Sequence, residues 1–120
     1  MQGDFTKSDR KRIRQLADLA WERGLRVELR KIAVAMEEME SGSLTPFDVT
    51  ERIHKFHDGA SRDLYKQFSG SLPWLEVCRA HFDGVLTDDD ITDASGDIRE
   101  GLQEFAASFT KLARERETAE

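Results

Sequence analysis

Apolar residues recur every three or four positions along almost the whole chain, and strict alternation never persists over four residues without a helical reading fitting better. With no Asn-Gly hairpin signal either, a sheet is excluded as the organising element. Glycines at 24, 42, 59, 70, 84 and 96 punctuate the pattern, and the stretches between them read as helices. Ile13, Leu16, Ala17, Ala20 and Trp21 form one stripe. Leu25, Leu29, Ile32, Ala33, Met36 and Met39 repeat the period beyond Gly24, which either caps the first helix or lies inside one long helix. Val49, Ile53 and Phe56 come next, with a break expected at Asp58-Gly59, then Leu64, Tyr65 and Phe68 on a short helix. Trp74, Leu75, Val77, Cys78 and Phe82 spread around most of a circumference, the pattern of a central buried helix. Ile98, Leu102, Phe105, Phe109 and Leu112 mark the last. The expected fold is all-α, a compact bundle of five or six helices in one domain over residues 1–120, with 1–7 and 114–120 frayed. A chain of 120 residues buries about 65% of its unfolded surface, enough for a core without disulfides or metal.

Two helix starts are spelled out. In Leu44-Thr45-Pro46-Phe47-Asp48-Val49, Thr45 suits the N-cap, Pro46 the first helical position and Asp48 the third, with Leu44 and Val49 at the staple positions. Leu86-Thr87-Asp88-Asp89-Asp90-Ile91 repeats this grammar, so helices are expected directly after Thr45 and Thr87. The match extends from Gly42 to Thr50 and from Gly84 to Thr92, an internal echo that shared capping needs alone can produce.

Charge narrows the function classes. The net charge is −6, which disfavours nucleic acid as a partner, because such binding rests on neutralised phosphates. The distribution is uneven: residues 1–31 sum to +4 and the remainder to −10. The longest apolar run, Ile32 to Met36, falls far short of a bilayer span, so no membrane association is expected. The polar first fourteen residues lack the apolar region of a secretory signal. The lone Cys78 reads as a core thiol in a reducing, cytoplasmic setting.

The densest polar constellation runs from Ile53 to Phe68. His54 and His57, three apart, share a helix face beside Asp58, Arg62, Asp63, Tyr65 and Lys66. Two histidines at that spacing have ligand geometry, with His81 or Asp83 as further donors, but a bare His-x-x-His is common and reads first as a structural corner. No resident metal or cofactor is therefore expected. A partly buried His57 and an ion pair from Asp58 or Asp63 to Arg62 or a histidine are.

Ile53, His54, Phe56, His57, Arg62, Leu64, Tyr65 and Lys66 together resemble the corner of a group of small, all-helical bacterial proteins of unassigned activity, over roughly a third of the chain counting Leu44-Thr45-Pro46. The resemblance implies an α fold with a shared corner and carries no activity. Arg52 and His57 also match the Arg-x4-His spacing of HEPN-type ribonucleases, which chance supplies about once in a chain of this composition.

Six aspartates between Asp83 and Asp97 suggest calcium, but the register from Asp93 puts Ile98 where an EF-hand needs glycine, and the register from Asp88 lacks the closing Glu. They read instead as first-turn carboxylates facing helix N-termini. The basic run Lys7, Arg10, Lys11, Arg12 and Arg14 reads as a solvated face or as the complement of that acidic stretch, in the same chain or a second one. The 3.5-residue spacing of Ile98 to Leu112 reads first as docking on a neighbouring helix of the same chain; with an exposed-looking Trp21, the alternative is a homodimer along the last helix. The functional expectation is a small non-catalytic protein-interaction or regulatory module whose partner is another protein or itself. The alternative is a metal-binding or HEPN-ribonuclease-like hydrolytic protein centred on His54 and His57.

Overall fold

The computed structural model describes residues 5–119. All secondary structure among them is helical: α1 (Lys7–Glu40), α2 (Pro46–Lys55), a π-helical segment (Phe56–Ser61), α3 (Arg62–Phe68), α4 (Pro73–Phe82), a 3-10 turn (Asp88–Ile91) and α5 (Gly96–Ala119). The all-α expectation holds. The count of five or six helices and the compact bundle do not, because α1 is continuous through Gly24 and α2 to α3 is continuous through Gly59, leaving four helical stretches. Of the termini expected to fray, residues 1–4 and 120 lie outside the described residues, while the charged tail is helical to Ala119.

Both unbroken stretches have identifiable physical causes. At Gly24 the missing side chain admits a neighbour: a Cβ there would sit 3.0 Å from Leu64 Cδ2. The glycine is a helix-crossing position, not a cap. At Asp58-Gly59 the chain widens into i→i+5 hydrogen bonding instead of breaking. Phe56, Ala60, Leu64 and Phe68 are four apart and all half-buried, while the residues between 61 and 68 other than Leu64 are more open. In an α-helix of 3.6 residues per turn a four-residue spacing drifts around the cylinder. The wider π turn returns these four side chains to one face.

The internal echo is geometric. Gly42 and Gly84 have φ of +89° and +81°, the left-handed conformation that glycine adopts without strain. After α1, the Ser43 N–H donates to Glu38 O at 2.8 Å and Gly42 N–H to Met39 O at 3.1 Å. After α4, Val85 N–H donates to Ala80 O at 2.9 Å and Gly84 N–H to His81 O at 3.2 Å. Both are Schellman ends, and each leads into a threonine cap. Thr45 Oγ1 accepts from Asp48 N–H at 3.1 Å while Asp48 Oδ2 accepts from Thr45 N–H at 2.9 Å, a complete capping box. At Thr87 the hydroxyl instead donates to Asp90 Oδ2 at 3.0 Å. The turn there stays 3-10 and ends at Ile91, because Asp88, Asp89 and Asp90 are weak helix formers and Thr92 Oγ1 bonds back to Asp89 O at 2.7 Å.

Residue contacts divide the chain into two units, one of residues 1–20 and 72–120, the other Trp21–Ser71. The first builds a core from α1, α4, the 3-10 turn and α5: Leu16, Val77, Leu86, Ile98 and Leu102 are all under 2% exposed. Leu75 and Phe82 stay partly open, so α4 buries one face carrying Val77, Cys78 and Ala80 rather than its whole circumference. Those two side chains are seven apart and share the uncovered side. In Trp21–Ser71 only Ala35 and Val49 among the hydrophobic residues are fully buried.

Candidate functional site

The polar corner lies on the outer side of the π turn. His54, His57, Asp58, Arg62, Asp63, Tyr65 and Lys66 are all exposed, because the wide turn directs Phe56, Ala60 and Leu64 inward and leaves the intervening positions to solvent. The structure joins two of them: His54 Nε2 lies 3.1 Å from Asp58 Oδ2, one helical turn apart. This meets the expectation of an ion pair, but His57 is exposed and not buried, with no hydrogen-bond or ion-pair partner among the described residues. Tyr65 packs edge-on against Trp21 at 5.9 Å and Phe68 stacks on the same indole at 6.4 Å, so Trp21 is half-buried within the chain.

No group of three His, Cys, Asp or Glu side chains among the described residues is arranged to hold a metal ion. His81 faces Asp88 at 3.1 Å. Arg52, the other half of the ribonuclease-like spacing, lines a shallow groove with Lys31, Lys55, Ile32, Phe56 and Ala60. The two lysines are already neutralised there, Lys31 by Glu28 at 3.0 Å and Lys55 by Glu51 at 3.2 Å.

Three carboxylates of the acidic stretch, Asp88, Asp90 and Asp93, have partners within the chain. Asp90 closes the Thr87 turn, and Asp93 Oδ1 accepts from Arg12 Nη2 at 2.9 Å, the same nitrogen donating to Asp90 O at 3.0 Å. Basic and acidic segments thus meet within one chain at Arg12. Ile98 and Leu102 of the last-helix seam are fully buried and Phe109 packs on Phe82 at 5.2 Å, which leaves Leu112 as the open end of that seam. Cys78 is buried, and desolvation pushes its thiol up to about 12, so it stays protonated and inert.

Two features escaped the sequence reading. Thr6 and Asp9 form a third capping box, with Asp9 N–H on Thr6 Oγ1 at 3.0 Å and Thr6 N–H on Asp9 Oδ2 at 3.2 Å. The same Thr-x-x-Asp spacing recognised at 45 and 87 would have found it. Asp9 is the one buried charged residue among those described; hydrogen bonds from the Ser95 hydroxyl first, then from Thr6, hold its carboxyl below the usual range. The other feature is the open side of α1. Half-buried Leu25 and exposed Leu29, Ala33 and Met36 line an apolar strip that stays open among the described residues, with Leu29 and Met36 each 49% exposed. The apolar period of this stretch was legible; which part of it the chain would leave open was not.

No helix among the described residues is long and apolar enough to cross a membrane. The chain matches no protein-family model, no curated protein and no solved structure.

Proposed function

We propose that this chain is a non-catalytic, cytoplasmic interaction module that docks protein through the open strip on the second half of α1. One observation carries the reading: Leu29 and Met36 stand half in solvent along a helix face whose neighbours Leu25 and Ala33 extend the strip. Contiguous open apolar surface rimmed by charge is the usual mark of a protein-docking face. Helix-in-groove recognition reads such i, i+4, i+7 anchors. The inert, buried Cys78 supports a reducing compartment. The partner is a protein offering a complementary helical surface, either a different chain or a second copy.

The test compares two double variants with wild type as bait in crosslinking from cell extract. Leu29→Glu with Met36→Glu is expected to lose specific partners while helicity is retained, and His54→Ala with His57→Ala to keep them. Partners or a hydrolytic activity that depend on His57 and ignore the α1 strip would overturn the reading in favour of the histidine corner.

A further inference from the structure

We infer that the occupant of the α1 strip is a second copy of this chain, paired antiparallel about a two-fold axis at Ala33; the inference rests on the interaction reading above and names its partner. The argument begins with charge. Along the open flank of the strip, Arg26 and Arg30 precede Ala33, and Glu37 and Glu40 follow it. These positions recur at helical spacing and so rim one side of the same face. A two-fold axis at residue 33 sets Arg26 opposite the other copy's Glu40, and brings Arg30, whose mirror position is 36, within one residue of the other copy's Glu37. Each pair forms twice, as a self-complementary interface requires. Arg30, Glu37 and Glu40 have no side-chain partner among the described residues, and Arg26 has only an exposed pair with Glu22 at 2.9 Å, of the weak kind.

Side-chain size agrees with this register. Ala33 falls on the axis, where small residues allow two helices to approach closely, and Leu29, whose mirror position is 37, falls within one residue of the other copy's Met36 on either side of it. A parallel two-fold pairing would turn the two copies of this flank to opposite sides of the seam, so neither arginine would reach the other copy's Glu37 or Glu40. The sign change along the flank is therefore complementary to itself only in the antiparallel arrangement.

Mixing two charge variants provides the test, read by sedimentation velocity at low salt with circular dichroism to confirm helicity. Wild type is expected to be a dimer at tens of micromolar. Arg30→Glu alone and Glu37→Arg alone are each expected to weaken it by about tenfold. Mixed one to one they are expected to form heterodimers near wild-type affinity, because both cross-pairs are again opposite in sign. A third variant needs no charge change: Ala33→Cys is expected to form a disulfide-linked dimer on mild oxidation, with buried Cys78 silent. Wild type that remains monomeric at hundreds of micromolar overturns the inference, as do charge variants that dimerise like wild type alone, or a mixture no tighter than its components. If the chain is monomeric yet loses a different partner on Leu29→Glu with Met36→Glu, the second copy is wrong and the interaction reading stands.

Discussion

The unit of residues 1–20 and 72–120 and the unit Trp21–Ser71 use similar helical sequence to different ends. The first closes its stripes on one another: Leu16 of α1, Val77 of α4 and Ile98 and Leu102 of α5 are 0–1% exposed. The second is a long helix segment with α2 to α3 beside it, in which Ala35 is fully buried while Val27, Leu29, Val34, Met36, Phe47 and Ile53 stay open. One helix packed by one neighbour exposes most of its circumference, whereas three or more elements enclose a centre. The lesson is that periodicity identifies a face to be covered without saying what covers it.

The largest expected effects come from deleting the same side chain in both units. Leu16→Ala and Leu102→Ala remove fully buried leucines and are expected to cost about 2–5 kcal/mol each in urea unfolding, whereas Leu29→Ala in dilute protein is expected to cost about 1 kcal/mol or less, since half its surface is already in water. Comparable losses at Leu16 and Leu29 would erase the distinction. Within Trp21–Ser71, Gly24→Val pushes a branched side chain onto Leu64 at the helix crossing and is expected to lose about 1–3 kcal/mol. If Gly24 were an ordinary helix interior, the change would be neutral or stabilising.

The caps allow a finer contrast. Thr6→Ala and Thr45→Ala each remove a hydroxyl that accepts a backbone N–H, and an expected loss of about 1 kcal/mol follows for each. Thr87→Ala removes a hydroxyl that donates to Asp90 and leaves that carboxylate bonded to the Thr87 N–H at 2.7 Å, so a smaller loss is expected. Thermal melts of the three variants at one pH check the order.

The smallest effects lie in the acid limb. Hydrogen bonds from the Thr45 backbone and hydroxyl hold Asp48 below its ordinary 3.8, and those from Ser95 and Thr6 do the same for Asp9. A carboxyl with a lowered folded value binds more protons when unfolded, so its contribution is complete above about pH 4 and is lost as pH falls through the folded value. Asp9→Asn and Asp48→Asn are expected to flatten the fall in stability below pH 4, measured as unfolding midpoint against pH. An unchanged acid slope in both would mean the boxes do not couple to protonation.

Much of this was legible in the residues, and the misses share a cause. Thr45 with Asp48, the glycine turns at 42 and 84 and the helix start at Pro73 are local arrangements of a few residues, and all are where the sequence places them. Gly24 and Asp58-Gly59 were ambiguous because their outcome depends on a distant residue: Leu64 crosses at Gly24, and the four-residue spacing of Phe56 to Phe68 is satisfied only by widening the helix. The corner from His54 to Lys66 was legible as a cluster, but its exposure was set by which residues of the π turn face inward. The α1 strip was legible as apolar, and its lack of a cover was a tertiary fact.

Hydrogen–deuterium exchange followed by peptide mass spectrometry at low and high protein concentration tests the central contrast most directly. The account predicts that amides in residues 13–20, 77–80 and 98–102 exchange slowest at every concentration, while those in residues 25–40 exchange sooner when dilute and slow down as concentration rises. Residues 25–40 as protected as the core in dilute solution, or concentration-dependent slowing confined to residues 98–112, would contradict it.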